Sequence, residues 1–255
     1  MVELKTEAEL DAMREAGRVV AAILDTAQRV AEVNVSLREL DEAARTVLSE
    51  AGASSPFLNY RPHFAATPFP AVICTSVNDA IVHGIPDDYR LRDGDLLGVD
   101  CGATLDGWTG DAAVTFIVGT ARPADQRLID TAEQALQAGI AAAVVGARIG
   151  DISHAIGTIG RAAGYGIPND FGGHGIGRHM HEDPGVPNDG RPGRGLRLRH
   201  GMTLALEPML MAGGRDKYRT APDGWTLLTT DGTRAAHIEH TIAITDDGPR
   251  ILTQP

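Results

Sequence analysis

Residues 95–111 read DLLGVDCGATLDGWTGD, and their interpretation decides the fold. Leu96, Leu97 and Val99 follow the turn residues Gly94 and Asp95, while residues 112–118 (AAVTFIV) are apolar and largely β-branched. Both runs predict strands. Between them lies Thr104-Leu105-Asp106-Gly107, with glycine at the favourable fourth turn position. A turn closed by Thr104 and Gly107 pairs Asp100 with Asp111. Side chains alternate along a strand, so both carboxylates would share one sheet face. Facing carboxylates repel, and burying them costs more still. A divalent metal offsets that cost directly; two exposed strand-end aspartates are the plainer explanation. The hairpin by itself leaves both open.

Composition narrows the class. A chain of 255 residues, 43% of them hydrophobic, can bury a sizeable core as one large domain or two fused halves. The net charge of −11 argues against a nucleic-acid surface, which needs a basic patch. One basic cluster exists, RPGRGLRLRH at 191–200, read as a solvated loop leading into an edge strand. No run approaches the roughly 18 apolar residues of a membrane helix. The polar start MVELKTEAEL shows no secretory signal. Cys74 and Cys101 make no disulfide framework and suit buried, reduced thiols in a cytoplasmic protein.

Upstream of the hairpin, Thr6/Glu9 and Ser36/Glu39 are capping-box pairs that predict helices over 7–31 and 37–51. Residues 53–70 carry four prolines, which exclude helix and leave Phe57, Tyr60, Phe64 and Phe69 to wall a pocket or to pin the loop. AVICTSVN at 71–78 predicts a strand, and His83 follows in a short apolar segment before Gly84. Downstream, helices are expected over 124–144 and 152–163, the second capped by Asp151. FGGHGIGRHMHEDP at 171–184 places His174, His179 and His181 among glycines, on strands or turns. Residues 213–224 read as a loop. Glu207 in MTLALEPML and Glu239 in HIEHTIAI sit inside apolar strands, where an ionised carboxylate is rare unless paired. Glu207-Pro208 should end or bulge its strand. A coarse duplication, helices then strands, divides the chain near residue 120, into 1–120 and 121–255.

Asp100, Asp111, His174, Glu207 and Glu239 thus supply four carboxylates and one imidazole, an oxygen-rich set suited to two divalent cations. Together with the KTEAEL start, ICTSVNDAIVHGIP, GHGIGRHMHEDP, LEPM and IEHT, these residues closely resemble type I methionine aminopeptidases of the short bacterial form, over residues 4–252. The resemblance implies the α/β pita-bread fold: a curved antiparallel sheet covered by helices, in pseudo-twofold halves of one catalytic domain. It implies a monomeric cytoplasmic enzyme that removes methionine from nascent chains and peptides with a small second residue, using a metal-bridging hydroxide. Transient ribosome contact goes with such a role.

The resemblance also implies residue roles. Asp100 would hold one metal, Asp111 and Glu239 would bridge, and His174 and Glu207 would hold the other. The metals would be manganese, iron(II), cobalt or zinc. Glu207 would be the catalytic base, His83 would contact the scissile amide, and His181 the substrate carbonyl. Phe57, Tyr60, Phe69 and Cys74 would wall the methionine pocket, with Trp225 near its rim. A monovalent cation site is implied near Asn78, Ala80 and Ala235, the two alanines being departures from the family pattern. Two further departures stand out. The link 61–68 is longer than usual, beside the expected pocket. His237 replaces a glutamine two residues before Glu239, bringing a hydrogen-bonding, pH-sensitive group to the site. Altered second-residue selectivity is one consequence to test. A proline-specific peptidase of the same superfamily and a non-catalytic binding protein on the same fold are the alternatives. The first usually carries an added N-terminal domain, and the second tends to lose metal ligands.

Overall fold

The computed structural model describes residues 2–62 and 65–255. Both capping boxes form. Thr6 and Glu9 cap α1 (Glu7–Val30), and Ser36 and Glu39 cap α2 (Leu37–Glu50), each hydroxyl accepting from the glutamate N–H while the glutamate accepts in return. Strands β1 (Ile73–Val77) and β2 (Ala80–Val82) follow, then the hairpin β3 (Asp95–Leu105) and β4 (Trp108–Val118). Helix α3 (Pro123–Ala142) starts on its proline. Helix α4 (Ile149–Ala162) begins earlier than expected: Arg148 is the N-cap, and Asp151 acts from the third helical position by accepting the Arg148 N–H at 2.7 Å.

The remaining strands are β5 (Gly172–Gly175), β6 (Glu182–Pro187), β7 (Thr203–Leu206), β8 (Met209–Met211), β9 (Tyr218–Thr220), β10 (Leu227–Thr229), β11 (Ala235–His237), β12 (Glu239–Thr245) and β13 (Gly248–Ile251). An antiparallel sheet runs β1-β3-β4-β12-β7-β5-β6, with β13 beside β12. Two expectations fail here. The strand after the basic loop, β7, is interior, flanked by β12 and β5, and not an edge. The span 213–224 also contains a strand, β9, held by pairing to β10. Among the described residues no helix is long and apolar enough to cross a membrane.

The hairpin register also differs from expectation. Leu105 pairs with Trp108, so the turn is the two-residue Asp106-Gly107, with φ 49° and 76°. Positive φ at both positions is what a type I′ hairpin requires. Asp100 therefore faces Ala113, and Asp111 faces Gly102. The slip is two residues, one full side-chain period, so the aspartates still share a face, now as diagonal neighbours.

The pleat separates core from site. Leu97, Val99, Cys101 and Ala112 pack against α1 and α2, while Leu204, Leu206, Ile242 and Ile244 pack with residues of α3 and α4. The alternate residues, Asp100, Asp111, Glu239 and His174, point to the opposite face. At the level of the glutamates the sheet splits. Glu207-Pro208 separates β7 from β8, Ile238 separates β12 from β11, and β8 and β11 leave as a two-stranded ribbon. Proline has no N–H with which to continue the ladder. Two threonines splint the junction. The Thr241 hydroxyl bonds both backbone groups of Asp111, and the Thr115 hydroxyl does the same for His237.

Candidate active site

All five carboxylate and imidazole residues singled out by sequence line one cavity of about 270 Å³, formed where the sheet splits. Phe57, Tyr60, Phe69, Cys74 and Trp225 line it too, with His83 and His181. Asp111 is 4% exposed and Glu239 2%, values that an unpaired carboxylate in a core does not sustain. Burial pushes the carboxyl of Asp100 up to about 7 and that of Glu207 up to about 8. It pushes Asp111 and Glu239 well above the carboxylate range, and the neighbouring acids push both further.

The donor geometry fits divalent cations. Asp111, His174 and Glu239 place ligand atoms within 4.8 Å of one another, and Glu207, His237 and Glu239 do the same. Oδ1 of Asp100, Oδ1 of Asp111, Oε1 of Glu239 and Nε2 of His237 are buried without a hydrogen-bond partner among the described residues. His174 Nδ1 lies 2.8 Å from the Gly175 carbonyl oxygen. That oxygen can only accept, so the ring proton belongs on Nδ1 and Nε2 keeps its lone pair for the site. Burial lowers His174 to about 3 and His83 to about 4, leaving both rings neutral at ordinary pH.

Local structure explains why these side chains meet. His83 sits at φ 61°, and the following Gly84 accepts the Thr75 N–H at 2.8 Å. A Cβ on Gly84 would collide with the Thr75 carbonyl, so only glycine lets the chain pass this close to β1. The His83 ring meets Trp225 and Phe171 edge to face, at centroid distances of 6.4 and 5.7 Å. His181 lies on the rim, its ring 4.3 Å from that of His174 and 5.3 Å from that of Tyr60. Cys74 is buried, and burial together with the nearby aspartates pushes its thiol up, so it lines the wall as an apolar group.

Two wall residues escaped the sequence reading. Phe171 and Met180 line the cavity, one opening the glycine-rich run and the other between two histidines. Neither carries a periodic signal, although both lie within the glycine- and histidine-rich run 171–184. Of the long link, Trp225 Nε1 donates to the Thr67 carbonyl at 3.1 Å, and Ala65 packs into the wall cluster. His63 and Phe64 lie outside the described residues. Asn78 turns its side chain to Asp95 and the Leu96 N–H, and its carbonyl accepts from Ala235.

A split antiparallel sheet with clustered acids and imidazoles facing a partly apolar cavity defines a metal-dependent hydrolase. The chain matches the model of metallopeptidase family M24 over residues 11–246, and it belongs to that family. It is 51% identical over 260 residues to methionine aminopeptidase 1 of Mycobacterium tuberculosis, covering 99% of this chain and 95% of that one. It is 42% identical to methionine aminopeptidase 1 of Bacillus subtilis, with 100% of each chain covered. The structure of methionine aminopeptidase from Thermotoga maritima superposes with a TM-score of 0.95 at 37% identity, over 100% of both chains. Prolidase from Pyrococcus furiosus shares the pita-bread fold, with a TM-score of 0.79 at 21% identity over 65% of its chain.

Proposed function

We propose that this chain removes the N-terminal methionine from peptides and nascent proteins with a small second residue. The observation that carries this reading is the cavity itself. One wall holds four acids and the His174 imidazole, and Asp100, Asp111 and Glu239 each have a buried carboxylate oxygen without a partner among the described residues; the other is built from Phe57, Phe69, Cys74, Met180 and Trp225. An unbranched thioether packs well against aromatic rings, and sulfur makes favourable contacts with them. A free amino terminus would meet the acidic wall.

Asp100, Asp111, His174, Glu207 and Glu239 would hold two divalent ions, of manganese, iron(II), cobalt or zinc. Bound there, such ions polarise a carbonyl and make water a better nucleophile at neutral pH. The chain's own residues do the rest. The aromatic wall fixes the methionyl side chain and so orients the scissile bond. Glu207, which lines the cavity beside these ions, takes a proton from the attacking water and returns it to the leaving amine. His83 faces the scissile amide, and His181 donates to the carbonyl oxygen as it gains charge. A cytoplasmic location and brief contact with ribosomes belong to the same proposal.

The test is methionine release from Met-Ala-Ser after chelation and re-addition of single divalent metals, with Leu-Ala, Met-Leu and Xaa-Pro peptides alongside. Metal-dependent release from Met-Ala-Ser is expected. Cleavage confined to Xaa-Pro peptides, or no release by protein carrying metal, overturns the reading.

A further inference from the structure

We infer that His237 Nε2 is a direct donor to a divalent cation held with Glu207 and Glu239, so that the centre has two imidazoles. The ring is 4% exposed, and its Nε2 atom has no hydrogen-bond partner among the described residues. It lies 3.5 Å from Glu207 Oε2 and 3.9 Å from Glu239 Oε2. An N–H···O bond would need about 3.2 Å or less. Two donors each about 2.1 Å from a tetrahedral ion lie roughly 3.4 Å apart. The observed spacing therefore suits donors that share an ion better than donors that bond one another.

The backbone holds the ring in that position. The His237 N–H donates to Thr115 Oγ1 at 3.0 Å, and its carbonyl accepts from the same hydroxyl at 2.7 Å. Pairing with Met209 fixes the other edge of β11. The resulting triad shares Glu239 with Asp111 and His174, so a second nitrogen would enter beside the shared carboxylate. A second imidazole favours zinc, iron(II) and cobalt over manganese, whose preference is for oxygen.

The inference rests on the reading of the centre as a metal site and is independent of which peptide is cleaved. X-ray absorption on protein loaded with two equivalents of zinc counts imidazoles through their outer-shell scattering. The count is expected to fall by one in His237→Gln, with zinc affinity at least tenfold weaker in both His237→Gln and His237→Ala. Glutamine keeps hydrogen-bonding capacity but is a poor ligand. Full affinity in His237→Gln, or an unchanged imidazole count, overturns the inference while leaving the metal site standing. A wild-type protein that holds no zinc would instead remove the metal-site reading. Should the variants fail to fold, the wild-type spectrum decides, since one imidazole shared between two ions also overturns the inference.

Discussion

Glu207 stands between two imidazoles, with Oε1 3.8 Å from His174 Nε2 and Oε2 3.5 Å from His237 Nε2. Neither contact is a hydrogen bond, so both carboxylate oxygens stay available to the cavity. Glu207→Gln keeps the shape and removes the proton acceptor. Turnover of Met-Ala-Ser at saturating metal is expected to fall by about 10²–10⁴-fold. A variant that keeps more than a tenth of wild-type kcat would exclude Glu207 as the base.

Metal affinity should depend on pH. Asp100 and Glu207 titrate at about 7 and about 8 without metal, so a cation must displace their protons. Affinity is expected to rise as pH goes from about 6 to about 8, with proton release visible as a buffer-dependent heat of binding. A flat profile would contradict it.

The same groups set the stability of the metal-free protein. Their folded values lie above their unfolded ones, so their contribution is present in acid and is lost as pH rises through about 7 and about 8. His83 acts in the opposite direction. Its folded value of about 4 lies below the ordinary 6.5, so it lowers stability as pH falls through that window. Chelated protein should therefore melt lower at pH 8 than at 6.5, since the raised carboxyls lose protons across that interval while the histidines of the unfolded chain release only the remainder of theirs. Asp100→Asn should flatten that slope in thermal unfolding scans.

Thr241→Val is nearly isosteric but deletes the hydroxyl that serves both backbone groups of Asp111. A buried N–H left unpaired costs about 1–3 kcal/mol. Denaturant unfolding should show that loss, and an unchanged midpoint would mean the splint is not needed.

Cys74→Leu adds volume to the buried wall of the cavity. One extra or missing methylene in an apolar pocket is worth about 10–200-fold. kcat/KM for Met-Ala-Ser should fall by that order, and an unaltered value would place the methionyl side chain elsewhere.

Much of this was legible in the sequence because it rests on local rules. The capping boxes located α1 and α2, and the glutamates at 207 and 239 were conspicuous inside apolar strands. The hairpin shows where local reading slips. Asp106-Gly107 is itself a strong two-residue turn signal, yet glycine in fourth position pointed to a longer turn. The error did no harm to the site because the register moved by a whole side-chain period. Asp151 was mistaken for a cap because aspartate serves at both the N-cap and the third helical position. Phe171, Met180 and the strand β9 were illegible because only tertiary pairing and packing place them.

The threonine splints have a consequence for cation choice. At β4 a hydroxyl, inserted between two strands, stands where an amide would otherwise bond a carbonyl, on either side of Glu239. Residues that hold no ion thus act as the gauge blocks of the centre. Valine or alanine at 115 or 241 would remove the spacing hydroxyl and change the clearance between the two donor triads while every donor residue was retained. Selection for a different metal supply can act on that clearance alone.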